Sequence, residues 1–194
     1  LTARTAGIYA FEGKNEIIAE GDVRILVGDA AESLGVGAKS IGIYTRAQAA
    51  GSDALTHVTS GGKLTVAVEA DDAAQEWIYG VRTYNGIEST PPTSYPDYNR
   101  RAEAVLKADE IEVIAKGGAS IELAVGVASS GEIDPLAGDS PSHVYTRAHT
   151  SIEAGSVTVA AEAMNAAGKA HGLEVLEYGG IDIAAHELSV SAKA

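Results

Sequence analysis

Trp77, Tyr79, Tyr84, Tyr95, Tyr98, Arg100 and Arg101 bring five of the chain's ten aromatic side chains and two adjacent cations into 25 residues. Aromatic faces bordered by guanidinium groups stack on sugar rings and peptide planes, so the chemistry on offer is non-covalent recognition. Pro91, Pro92 and Pro96 lie in the same stretch, TYNGIESTPPTSYPDYNRR. Proline fixes φ and donates no backbone hydrogen bond, which predicts a stiff protruding loop rather than a strand. Loops on rigid scaffolds commonly carry binding. The competing reading has the same aromatics lying flat over aliphatic surface. Tyr44/Arg46 and Tyr145/Arg147, in a repeated Y-T-R-A, share a face at a spacing of two and would stack outward as part of the scaffold.

Covalent chemistry has little to start from. GxSxG, GxxxxGK[ST], HExxH and a helix-opening GxGxxG are all absent, so the hydrolase, nucleotide, zincin and dinucleotide readings that start from these motifs have no starting point. Asp71, Asp72 and Glu76 form one acidic group and Glu132, Asp134 and Asp139 another. Glycoside hydrolysis needs two such carboxylates facing each other across a cleft, but acids in loops read first as solvated turns. The segment SSGEIDPLAGDSPSH mixes carboxylates with turn-forming Gly and Pro, a composition that could hold Ca²⁺, but it lacks the ligand order of an EF-hand loop and reads first as a structural loop. None of His57, His143, His149, His171 and His186 lies at a metal-ligand spacing on one strand face; His143 and His149, six apart, share a side but stand about 20 Å apart at strand rise. They read as outward or corner residues, so no metal is expected. No catalytic residue and no cofactor are assigned.

The elements that must hold these residues repeat. DVRILVGDA at Asp22 returns as KLTVAVEA at Lys63, SIELAVGVA at Ser120, SVTVAAEA at Ser156 and ELSVSAKA at Glu187. Each places an aliphatic or Ala residue at every second position, the period of a strand with one face buried. In the second copy the inward set is Leu64, Val66 and Val68. EIIAEG, THVTSGG, EVIAKGG, TSIEAG and GIDIAAH precede the five blocks and supply a second strand, usually ending on Gly. A third comes from GIYAF, GIYTRA, YGVRTY, HVYTRA and HGLEVLEY, with Ile8, Ile43, Val81, Val144 and Leu173 equivalent and intervals of 35, 38, 63 and 29 residues. Such periods mean solenoids, propellers or arrays. Propeller blades need Asn-Gly or Asp-Gly hairpins, and only Asn85-Gly86 qualifies. The expectation is an all-β fold, a parallel β-solenoid of about five coils with three strands per coil. It forms a single unit over 1–194, with loop insertions near 86–101 and 129–142. EADDAAQEWIYG and AAEAMNAAGKAHG contain good helix formers and compete as short helices.

Twenty-seven acids against 14 bases give a net charge of -13, which argues against nucleic acid and against an anionic membrane surface. Outward acids between aliphatics would keep repetitive strands soluble and unwilling to pair at their edges. Zero cysteines exclude disulfides and thiol nucleophiles, and no apolar run is long enough to cross a bilayer as a helix. The start at Leu1 and the strand pattern running through Ala194 read as a segment of a longer chain.

GSVTVAAEA at Gly155, GGIDIAA at Gly179 and ELSVSA at Glu187, joined by an Ala- and Gly-rich connector, resemble the repeat region of large secreted bacterial adhesins. Filamentous haemagglutinin-like proteins and autotransporter passenger domains are the similar groups. The resemblance covers most of the chain except the segment near Ser89 to Arg101 and implies a right-handed β-solenoid. It also implies an extracellular or bacterial cell-surface location and a role in extension and contact with host or neighbouring cells. It carries over no functional residue. On this reading the partners are a glycan or protein ligand on another cell, flanking coils of a parent chain, or identical subunits end to end. Neither nucleic acid nor membrane insertion is expected. A carbohydrate-active β-helix enzyme and an end-to-end polymerising fibre subunit stand as the alternatives.

Overall fold

Strict alternation of aliphatic and polar residues leaves most of the chain one structural option, and strands take it. A computed structural model describes residues 4–28, 38–48, 53–70, 75–86, 101–131 and 147–194. In chain order the strands are β1 (Arg4–Phe11), β2 (Lys14–Ala19), β3 (Val23–Val27), β4 (Ala38–Gln48), β5 (Ala54–Ser60), β6 (Lys63–Ala70) and β7 (Gln75–Gly86). They continue as β8 (Arg101–Lys107), β9 (Glu110–Gly117), β10 (Leu123–Gly131), β11 (Arg147–Ala163), β12 (Lys169–Leu176) and β13 (Gly179–Lys193). No helix occurs among the described residues, and every strand pairing there is parallel.

Three ladders result. The first runs β1-β4-β7-β10-β12. The second runs β2-β5-β8 onto the first half of β11, and the third β3-β6-β9 onto its second half. The long strand β13 then pairs with both halves of β11. Inward side chains stack at equal heights. One column is Ile8, Ile43, Val81, Val127 and Leu173, and another is Val23, Leu64, Ile111, Val157 and Leu188. Leu64, Val66 and Val68 are fully buried as expected, and with Ile43, Val58, Val81, Leu106 and Ile152 they form the core. Buried hydroxyls inside it pair with one another, Thr45 with Thr56 and Thr83 with Thr150, each at 2.7 Å.

Register corrects the assignment of two segments. SIELAVGVA is no copy of the KLTVAVEA block: Val127 stands in the column of Val81 and Leu173, the place assigned to Val144. The copy in the third ladder is β9, where Ile111, Val113 and Ala115 face Leu64, Val66 and Val68. The intervals along the first ladder are therefore 35, 38, 46 and 46 residues. Val144 itself lies outside the described residues. RAEAVLK, unassigned by pattern, forms β8, with Ala102, Ala104 and Leu106 inward. Nor does AAEAMNAAGKAHG make a helix. Ala160–Ala163 end β11 and Lys169 begins β12 after a turn, because ladder pairing and burial of Ala161 and Ala163 outweigh local propensity.

One glycine recurs at the same height in every strand of the first ladder: Gly7, Gly42, Gly80, Gly126 and Gly172. At Gly80 a β-carbon would overlap Val113 Cγ1 and the carbonyl oxygen of Gly126, so the third ladder and the next strand both occupy side-chain space there. The ladder register skips this residue, and in β7 the alternation shifts by one at Gly80-Val81. Ile78 and Val81 point into the core, while Tyr79, Arg82 and Tyr84 share the opposite face.

Candidate functional site

That shift builds an aromatic and arginine face on the outside of β1, β4 and β7. In-register stacking sets Tyr9, Tyr44 and Arg82 in one column and Phe11, Arg46 and Tyr84 in the next. The Tyr9 and Tyr44 rings are stacked, centroids 5.2 Å apart and planes 10° apart. The Arg82 guanidinium lies 4.5 Å from the centre of Tyr79, 5.5 Å from Tyr84 and 5.9 Å from Tyr44. Arg46 lies 5.5 Å from Phe11 and 5.9 Å from Tyr84. Each such contact contributes about 0.5–2 kcal/mol, more where water is excluded. Tyr44 and Tyr79 are buried in a second apolar cluster with Ile41, Val125 and Ala128, on the face of the sheet opposite Ile43. Burial raises the Tyr79 phenol above its usual pKa of 10.0, while Arg82 pulls the other way. Tyr9 and Phe11, 48% and 43% exposed, form the open end of the array.

Of the residues predicted from sequence, Trp77, Tyr79 and Tyr84 all lie on β7, Trp77 half-buried against the same cluster. Tyr95, Tyr98 and Arg100 lie outside the described residues, as do Asp71, Asp72, Glu132, Asp134, Asp139 and His143. Arg101 is not part of the array. It opens β8, where Asp53 lies 3.7 Å and Glu103 3.8 Å from its guanidinium. Together with Arg147, His149 and Tyr178 it lines a separate groove of about 730 Å³. His149 there pairs with Asp182 at 3.0 Å, and His171 with Glu174 at 2.7 Å on β12. Among the described residues no group of three His, Asp or Glu could hold a metal ion, and no helix is long and apolar enough to cross a membrane.

Tyr9, Phe11 and Arg82 are the functional candidates that pattern alone missed. Alternation in IYAF already puts Tyr9 and Phe11 on one face, but their neighbours are fixed by register across intervals of 35 and 38 residues. What the arrangement can do is recognise: flat rings and delocalised cations, with no nucleophile-base pair among them. The chain matches no protein-family model, no curated protein and no solved structure.

Proposed function

We propose that the chain is a structural and adhesive segment of a surface-displayed or secreted bacterial protein, built as a right-handed β-solenoid of five coils with three strands each. Its task is extension and contact with host or neighbouring cells, with the exposed Tyr9 and Phe11 on β1, the open end of the aromatic and arginine array, as the contact surface. The coil reading draws support from the parallel registers, in which strands recur three apart along the chain and β11 and β13 each supply two of the three sides. Right-handed winding follows from the strong rule for parallel crossovers. The bacterial surface location draws on the resemblance of GSVTVAAEA and ELSVSA to adhesin repeats.

The contact role rests on one observation: the stacked Tyr9–Tyr44 pair ends on an exposed aromatic face flanked by Phe11, with Arg46 and Arg82 as the cations of the array. Stacking surfaces with fixed cations suit a glycan or a peptide on another cell. Glycan-array binding of the intact chain, compared with Tyr9→Ala and Phe11→Ala, tests it. Loss of the bound glycans at unchanged β-sheet circular dichroism supports the reading, and binding that both variants retain refutes it. Tyr95→Ala and Tyr98→Ala in the same assay report whether the proline-rich segment contributes.

A further inference from the structure

Charges on neighbouring rungs follow a rule with one exception. Among the described side chains that pair across the ladders, Lys63 faces Glu110, Lys107 faces Glu153 and Lys193 faces Glu162, at 2.8, 2.6 and 2.9 Å. Opposite signs directly across a sheet stabilise it, and like signs destabilise it. Arg101 on β8 and Arg147 on β11 break the rule: they are in register, one rung or about 4.8 Å apart, and both are exposed. Their neighbours Ala102 and Ala148 are buried in the core, so the two arginines leave the sheet on its outer side. A chain of net charge -13 does not lack acids, yet the rung facing Arg101 carries a second cation.

Neither guanidinium is used up by the protein. Asp53 and Glu103 lie 3.7 and 3.8 Å from that of Arg101, beyond hydrogen-bond reach. Among the described residues no carboxylate pairs with Arg147. The next position in the column is Tyr178, whose carbonyl accepts the Ala148 N–H. Here the chain passes from β12 to β13 through Glu177 and Tyr178 alone, and β13 opens on Gly179 and Gly180. Packing keeps both positions small, since a β-carbon on Gly179 would overlap the Ser129 carbonyl oxygen and one on Gly180 would press on the His149 ring. Bare backbone thus lines the groove of about 730 Å³, beside the two arginines and Tyr178. Glycine backbone lets a ligand approach closely.

We infer that this groove binds a sugar carrying a single carboxylate. The carboxylate lies between Arg101 and Arg147, takes N–H donors from both, and removes the repulsion that the free chain carries. A volume of about 730 Å³ is far more than a lone ion fills and falls within the range of small-molecule sites. The sugar ring lies against Tyr178 and the glycine backbone, and its hydroxyls find acceptors in Glu103 and Glu177, which also line the groove. Those same carboxylates repel a polyanion, which favours one negative charge on the ligand over a nucleic acid or a sulfated chain. The site lies on the second ladder, apart from Tyr9 and Phe11, and does not depend on their contact role.

Isothermal titration calorimetry of the intact chain with methyl glucuronide, methyl glucoside and acetate tests the inference. The glucuronide binds with a Kd of about 1 mM or below at about 20 mM salt, and several-fold more weakly at about 200 mM. Acetate binds at least about tenfold more weakly than the glucuronide, and the glucoside gives no heat. Arg147→Gln, an exposed change that leaves β-sheet dichroism intact, lowers affinity for the glucuronide by about tenfold or more. Arg147→Glu restores opposite charges on the two rungs, so it abolishes binding while raising the thermal midpoint of the free chain by about 1–3 °C. Tyr178→Ala brings the glucuronide down to the affinity of acetate. Tyr9→Ala leaves glucuronide binding unchanged; a glycan that this variant keeps and Arg147→Gln loses belongs to the groove, so the two readings fail separately. No heat with the glucuronide, equal affinity for glucuronide and acetate, or binding that Arg147→Gln leaves unchanged overturns the inference.

Discussion

A β-carbon on Gly80 would overlap Val113 Cγ1, and the same relation joins Gly42 to Val66 and Gly126 to Val159. The first and third ladders thus meet across a column where one side contributes only backbone. Gly80→Ala must push β9 or β10 aside and destabilises by about 1–3 kcal/mol. Gly21→Ala, whose β-carbon meets nothing within 4 Å, changes stability by less than about 0.5 kcal/mol. Denaturant titration of both variants checks this, and equal effects would contradict the close approach.

Burial alternates along β6 and β9, so substitution effects should alternate with it. Ile111→Ala, at a fully buried rung, costs about 2–5 kcal/mol by loss of transfer energy and creation of a cavity. Thr65→Ala, on the outer side of β6, stays within about 0.5 kcal/mol. A similar loss from both would mean that the strand faces are assigned wrongly.

Arg82 stands over three tyrosine rings, and both its charge and its planar shape matter. Arg82→Lys keeps the charge but loses the flat stacking surface. The expected cost is about 1 kcal/mol in stability, with a change in the near-ultraviolet dichroism of the tyrosines. An unchanged tyrosine signal would show that the array does not persist in solution.

Tyr79 gives a pH dependence of defined sign. Its phenol is buried, so its folded pKa lies above the unfolded value of 10.0. Above that value the folded chain holds a proton that the unfolded chain has lost, and stability falls as pH rises through the folded pKa. Tyr79→Phe removes this contribution, so the variant loses less stability than the parent when unfolding is measured from pH 9 upward. Parallel curves for the two proteins would contradict the burial of this phenol.

Much of the fold was legible because the hydrophobic period is local. Leu64, Val66 and Val68 can be placed inside from eight residues, and the core confirms them. Register is different, since EVIAKGG and SIELAVGVA carry the same alternation and either could fill the third ladder. The discriminating signal is the Gly-aliphatic step, Gly126-Val127 matching Gly80-Val81, a packing requirement that only stacked strands reveal. β8 escaped notice because Ala102 and Ala104 give a weak alternation in a segment of good helix formers. At the site, Tyr44 and Arg46 were readable as sharing a face, two residues apart. Tyr9 against Tyr44 was not, because 35 residues separate them and only parallel pairing brings them together.

Stacked, in-register strands are the claim on which the rest depends, and one distance tests them most directly. Arg24, Thr65, Glu112, Thr158 and Ser189 form one outward column, so Arg24 and Ser189 stand four rungs apart, about 19 Å. The chain has no cysteine, so spin labels on Arg24→Cys and Ser189→Cys report this pair alone. Double electron–electron resonance should give one narrow distribution near 20 Å, allowing for the label tethers. A broad distribution, or one centred beyond about 30 Å, would contradict the ladders and everything built on them.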